Sequence, residues 1–319
     1  MANIADGKAI PENRERLKVL SQSQAQSNLD NIVEALKEDS VVLVSNLEAD
    51  SADYIMHKVA SRFDLGDNLE LQAGYASFLG YRQKVGQYFM TVHERGPYQF
   101  IAPHSEGTSS MNLQIASFYC IENSTDGGES ILLNVDDSSS MWELLRENTI
   151  RGRLVSGSLA THEVLKIRGL YQLHLPADFL SDDDQILNEV RTEIPGFTIL
   201  EVFARLKRAY SRLLDRKVYV LWDTVASADL DLAPQYSDLL RQAALLREPD
   251  NGLELHAMDR SGDRRRRHSG VDYSQLFTCK ITHKWAPGDL LLFNNLTWTH
   301  SAANWSPKSG GRRITASFA

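Results

Sequence analysis

Residues 277–285 constrain this chain more than any other stretch. Phe277, Cys279, Ile281, His283 and Trp285 alternate with Thr278, Lys280, Thr282 and Lys284. Successive side chains of a strand leave on opposite faces, so this period of two predicts a strand with one buried face. Pro287-Gly288-Asp289 then marks a turn, and residues 290–293 resume as a buried strand. Residues 314–318 read as a closing strand. The same signal occurs earlier, at residues 41–47, 112–121 and 131–135, with Asp126-Gly127-Gly128 breaking the middle pair. Strands at both ends of the core with helices between them predict a mixed α+β fold. Its core is expected to be a double-stranded β-helix (jelly roll) with flanking and inserted helices. Neither the strand–helix alternation of a parallel α/β protein nor a glycine-rich phosphate loop is present.

Helices are expected over residues 13–39, 52–63, 182–193 and 234–247. Another is expected over 138–148, where Ser140-x-x-Glu143 matches a capping box. The whole of 1–319 is read as one domain. Residues 1–65 give N-terminal support, and about 151–274 form an insertion with lid and helices between the two halves of the roll.

Composition narrows the class of function. Of the 319 residues, 42% are hydrophobic and 24% charged, as in a soluble globular protein. No run approaches the ~18 apolar residues of a membrane span. The net charge of −8 argues against nucleic acid as a partner. Cys120 and Cys279 cannot make a disulfide framework, and residues 1–13 hold no apolar leader, so a cytoplasmic location is expected.

Three features bear chemistry. In His104-Ser105-Glu106 the imidazole and the carboxylate leave an extended segment on the same side and can reach one metal ion. By itself such a tripeptide is common, and Pro103 and Gly107 equally fit a surface turn. His300 follows a buried strand and a polar turn; alone, it reads as a histidine bonded to a backbone carbonyl. Arg312-Arg313 enter the terminal strand, where alternation sends one guanidinium to solvent and the other inward. An inward guanidinium costs several kcal/mol unless an anion meets it. Its fork matches a carboxylate with two hydrogen bonds, so it calls for a carboxylate ligand or an internal Asp or Glu. Two histidines and one carboxylate on one face of a metal are the ligand set of non-haem Fe(II) oxygen chemistry.

With these residues the chain resembles the Fe(II)/2-oxoglutarate-dependent dioxygenases of the taurine-dioxygenase and clavaminate-synthase-like group. Four blocks resemble theirs in order: His104-Ser105-Glu106, Gly127-Gly128-Glu129-Ser130, the stretch from Trp285 through Asn295 to His300, and Arg312-Arg313-Ile314. The resemblance runs from about residue 100 to the C-terminus, with 151–274 unmatched. It implies that His104, Glu106 and His300 hold Fe(II) and that the Ser130 hydroxyl helps to hold 2-oxoglutarate. Arg313 would bind the distal carboxylate, or Arg312 if the register is off by one. Dioxygen would be the second co-substrate, with succinate and carbon dioxide released. The expected reaction is hydroxylation of an unactivated C–H bond in an amino-acid-like or natural-product small molecule; desaturation and ring closure are the alternatives.

Two departures shape that expectation. Taurine dioxygenase has a further Arg four residues beyond the co-substrate Arg, where this chain has Ser317, which disfavours a sulfonate substrate. The carboxylate is Glu rather than Asp, as in the clavaminate-synthase branch, and its presence disfavours halogenation. Phe100 and Trp298 are candidate substrate residues, with Tyr75, Tyr88 and Met111 nearby. His283 reads as core, and the other histidines as surface or hydrogen-bonded. The run Asp263-Arg264-Arg265-Arg266-Arg267-His268 reads as a solvated loop, with a substrate lid as the sharper alternative. A roll-fold metal enzyme acting as a Lewis acid and a non-catalytic ligand-binding relative are the competing classes.

Overall fold

Backbone pairing rather than helix propensity decides the path of this chain from Leu17 onward. The computed structural model describes residues 9–27, 29–79, 82–92, 98, 101–109, 111–222, 232–249 and 271–319. In chain order the strands are β1 (Leu17–Ser21), β2 (Val41–Ser45), β3 (Lys84–Val85), β4 (Phe89–Thr91), β5 (Ile101–His104), β6 (Ile115–Asn123), β7 (Ser130–Val135) and β8 (Arg146–Leu154). They continue with β9 (Gln185–Arg191), β10 (Phe197–Arg205), β11 (Ala209–Ser211), β12 (Arg216–Val218), β13 (Phe277–His283), β14 (Leu290–Asn294), β15 (Trp298–Ala302) and β16 (Arg312–Phe318). The helices are α1 (Gln22–Ser27), α2 (Leu29–Lys37), α3 (Ala49–Arg62), α4 (Gly66–Leu79), α5 (Thr161–Tyr171) and α6 (Leu232–Gln242). The chain divides into two compact units, residues 1–139 with 208–319, and residues 140–207.

The first unit contains two larger sheets. A seven-stranded sheet runs β1-β2-β14-β6-β16-β4-β3, parallel only between β1 and β2. A four-stranded antiparallel sheet runs β13-β7-β15-β5. On one face of the larger sheet, Val42, Val44, Leu290 and Leu292 pack against α2 and α3. Those helices bury stripes at helical spacing: Ile32, Val33 and Leu36 in one, and Ile55, Met56 and Val59 in the other. On the other face Phe118, Leu291, Phe293, Ile314, Ala316 and Phe318 share a core with Leu132, Ile281 and Trp298 of the smaller sheet. The apolar run at 290–293 is therefore buried on both sides. The period of two in β13 is realised as expected: Phe277, Cys279 and Ile281 are buried, while Thr278 is exposed.

The second unit is a β8-β10-β9 antiparallel sheet with α5. Ile167, Leu173, Ile194, Phe197 and Ile199 form its small core. This unit is narrower than the insertion expected over 151–274, because the β11–β12 hairpin and α6 belong to the first unit.

Three expected helices are corrected. Within 13–39, residues Leu17–Ser21 form β1, in register with β2 from Leu17↔Val41 to Ser21↔Ser45, and only α1 and α2 are helical. Over 138–148 the capping-box pattern yields one short turn at Ser140–Glu143, and β8 begins at Arg146. Over 182–193 the chain forms β9, exposed at every residue. β1 and β8 satisfy their backbone groups with partners distant in sequence and β9 with the strand that follows it, so pairing overrides the local helical pattern. Among the described residues, no helix is long and apolar enough to cross a membrane.

Candidate metal centre

β5 and β15 are antiparallel neighbours, and His300 stands directly opposite His104. Side chains opposite one another in such a pair share a face and meet. Here the imidazole centroids are 4.3 Å apart, with the ring planes inclined at 50°. β5 ends at His104, and Glu106 follows two residues on, on the same side. Its Oε1 lies 3.8 Å from His104 Nε2 and 3.5 Å from His300 Nε2. Ligand atoms of all three residues lie within 4.8 Å of one another, the one such group of three among the described residues.

Local contacts orient this set. Ala102 O lies 2.8 Å from His104 Nδ1. A carbonyl only accepts, so Nδ1 carries the proton and Nε2 keeps its lone pair for a metal, a second-sphere arrangement common to metal-binding histidines. Burial pushes the Glu106 carboxyl up, but with no metal bound the facing His104 and His300 imidazoles, when protonated, outweigh it and hold the group well below the usual carboxylate range. The Glu106 backbone is clamped by the buried Asn295, whose Oδ1 accepts from Glu106 N at 2.9 Å. Asn295 Nδ2 donates to Glu106 O at 3.0 Å and to Leu113 O at 2.8 Å. Gly107 then turns the chain at φ +88°, where a Cβ would sit 3.0 Å from Leu113 Cδ1. Asn295 was legible only as part of a polar turn before His300; its two-way grip on a segment nearly two hundred residues away was not. Phe118 and Phe293, from the larger sheet, place their rings 4.8 Å and 6.0 Å from the His300 ring.

The two arginines take the opposite order to the one expected. Ile314, Ala316 and Phe318 face the shared core, and the same parity turns Arg312 inward. Arg313 falls on the other face and is exposed. Arg312 Nε donates to Gly128 O at 3.3 Å, and its guanidinium lies over the Trp305 ring, 5.4 Å from the centroid. Burial pulls its pKa down to about 10. Among the described residues no carboxylate pairs with it.

Gly128 makes room for the Arg312 side chain, and Gly127 for the Asn304 backbone. A Cβ on Gly127 would lie 2.0 Å from Asn304 O, and one on Gly128 would lie 2.8 Å from Arg312 Cδ. Ser130 opens β7 from the same turn, buried, its Oγ accepting from Trp285 Nε1 at 3.0 Å.

The remaining expectations divide. Trp298 is fully buried in the shared core with Nε1 donating to Asp39 O at 3.0 Å, a packing residue rather than a pocket wall. Tyr88 is buried in the helical layer, where its hydroxyl donates to Glu70 at 2.7 Å. Met111 is exposed. His283 sits edge-on to Trp285 and bonds Asp289 Oδ2 at 2.8 Å, a structural contact. Phe100, the Tyr75 side chain and the Arg264–Arg267 run lie outside the described residues. A cavity lined by Ile131, Leu133, Tyr236 and Leu240 opens on the outer face of the smaller sheet, away from His300.

No family model matches this sequence, and no curated protein does. Three similar solved structures share 11% identity with it. One is a taurine dioxygenase from Burkholderia xenovorans, with a TM-score of 0.40 over 92% of this chain and 80% of that one. Another is the non-heme iron oxygenase OrfP in complex with Fe and alpha-ketoglutaric acid, at 0.41 over 93% and 79%. The third is AAD-2 in complex with Mn(II) and N-oxalylglycine, at 0.39 over 97% and 96%. PvcB, an Fe, alpha-ketoglutarate dependent oxygenase from an isonitrile synthetic pathway, is also among the similar structures, at 12% identity and a TM-score of 0.37 over 97% of this chain and 89% of that one.

Proposed function

We propose that this protein is an Fe(II)- and 2-oxoglutarate-dependent oxygenase of the taurine-dioxygenase and clavaminate-synthase-like group, acting on a small molecule from a double-stranded β-helix core. The observation that supports this most directly is the convergence of His104, Glu106 and His300 within 4.8 Å. Two imidazole nitrogens and one carboxylate oxygen fit Fe(II). An inward guanidinium that no acid among the described residues pairs with fits a dicarboxylate that arrives from solution.

His104 Nε2, His300 and Glu106 would hold the metal. With 2-oxoglutarate and dioxygen, Fe(II) supplies oxidative decarboxylation to succinate and carbon dioxide, coupled to oxidation of a substrate C–H bond. The protein supplies placement. Arg312 would bind the distal carboxylate, a role the motif match gave first to Arg313. The Ser130 oxygen already accepts from Trp285, so its own O–H remains to donate to the same carboxylate. Asn295 keeps the Glu106 backbone in place, and the Phe118 and Phe293 rings exclude water beside His300.

Anaerobic addition of Fe(II) and 2-oxoglutarate should produce a visible metal-to-ligand charge-transfer band, and air should then release succinate. A protein that binds the metal but shows neither would instead be a Lewis-acid enzyme or a binding module. A succinate screen across amino acids, peptides, nucleosides and terpenoids identifies the substrate. The product distinguishes the reactions: hydroxylation adds one oxygen atom, while desaturation or ring closure removes two hydrogens.

A further inference from the structure

Arg312 rests on the Gly-Gly turn, and the next residue of that turn is an acid. Glu129 follows directly on Gly128, whose carbonyl accepts from Arg312 Nε, and its charge reaches the Arg312 guanidinium. A side-chain carboxylate so placed can take the same forked pair of hydrogen bonds that a dicarboxylate from solution needs. In this structure Glu129 is engaged elsewhere. Arg247 Nη1 donates to its Oε2 at 3.0 Å and Nη2 donates to its Oε1 at 2.9 Å, occupying both oxygens.

Arg247 is itself held firmly. Its backbone N–H donates to Asn304 Oδ1 and its carbonyl accepts from Asn304 Nδ2, both at 2.8 Å. Its Nη1 also donates to Leu245 O at 2.8 Å, and Nη2 donates to Asp126 O. Lys284, the other nearby cation among the described residues, directs its ammonium to the carbonyls of Thr125 and Gly127. Glu129 is only 8% exposed. A desolvated pair of this kind is a poor source of stability, so a role in specificity is the better account of it.

We propose that Arg247 is a positioning residue for the co-substrate site: by occupying both oxygens of Glu129 it keeps the Arg312 guanidinium open to a dicarboxylate. The inference rests on the reading of Arg312 given above. Without Arg247, Glu129 turns to Arg312 and competes as an intramolecular ligand. The apparent Kd then rises in inverse proportion to the fraction of molecules whose Arg312 is open. Capture nine times in ten gives a loss of ~tenfold.

Calorimetric titration of 2-oxoglutarate into the Mn(II)-loaded full chain tests this without turnover. Arg247→Ala should weaken 2-oxoglutarate ~tenfold with Mn(II) affinity unchanged. Adding Glu129→Gln to that variant should restore wild-type affinity, because the competitor has lost its charge. The inference is overturned if Arg247→Ala binds like wild type. It is equally overturned if the double variant stays as weak as the single one, since Arg247 would then only dock its segment. Should Arg247→Ala not fold, Glu129→Gln alone must bind at least as tightly as wild type, and weaker binding refutes the inference. Failure of the wild-type protein to bind 2-oxoglutarate at all refutes the oxygenase reading instead, before any variant is made.

Discussion

β14 and β15 are neighbours in sequence, equal in length and buried at every position, yet they do different things. β14 is Leu-Leu-Leu-Phe-Asn: Leu290 and Leu292 meet the helical layer, and Leu291 and Phe293 meet the shared core. β15 is Trp-Thr-His-Ser-Ala, and both its hydroxyl side chains find a partner. Thr299 Oγ1 donates to Leu133 O at 3.3 Å, and Ser301 Oγ donates to Ile101 O and bonds the Tyr236 hydroxyl. Burial alone therefore does not mark a core strand. Apolar burial is non-directional and tolerates repacking, whereas buried polar groups are costly unless bonded and so hold one geometry. The strand that must aim His300 at Glu106 is of the second kind.

The comparison breaks most simply at His300. His300→Ala should abolish metal-dependent succinate formation while the unfolding midpoint stays close to wild type. Retained turnover would remove the metal assignment, and Glu106→Ala should behave alike. In β14 the reverse is expected. Leu292→Ala should cost about 2–5 kcal/mol in urea unfolding, yet leave the metal affinity of the folded fraction unchanged. A loss of metal affinity there would erase the distinction between the two strands.

A smaller effect tests β16, which borders both the core and the Gly-Gly turn. Arg312→Ala should weaken 2-oxoglutarate roughly a hundredfold, the cost of removing one partner from a buried charged pair. Arg313→Ala, on the exposed face, should stay within about twofold, as exposed charges contribute little. The opposite ranking would return the role to Arg313.

The smallest effect concerns Asp39, which anchors the start of β15 through Thr297, Trp298 and Asn134. Burial raises its pKa above the ordinary 3.8, and hydrogen bonds from Thr297 and Asn134 only partly oppose this. A carboxyl raised in the folded state contributes stability below its unfolded value and loses it as pH rises through the folded value. Wild type should therefore lose stability relative to Asp39→Asn as pH climbs from the acid side of 3.8 towards neutrality. Asn accommodates the φ of 57° at this position. Urea midpoints of both proteins at the two pH values test the sign, and a gap that does not change with pH rejects it.

Much of the fold was readable because its signals are local. The alternation in β13, the apolar run of β14 and the stripe of α3 each follow from the order of neighbouring residues. β1, β8 and β9 were not readable, because a partner strand outweighs their helix-like spacing. The candidate metal ligands were named by two motifs that resemble a known family, not by any local property of His300. Asn295 and Arg247 carry no motif and act through residues far along the chain.

Which side chains share a face was determined by the sequence itself, since alternation along a strand needs no partner. Counted back from Phe318, that parity points to Arg312, where motif matching preferred Arg313. Only the tertiary structure decided that His104 lies opposite His300, that no acid among the described residues pairs with Arg312 and that Glu129 belongs to Arg247. Register and ion pairing are contacts between distant segments, and their free energy exists only once those segments meet.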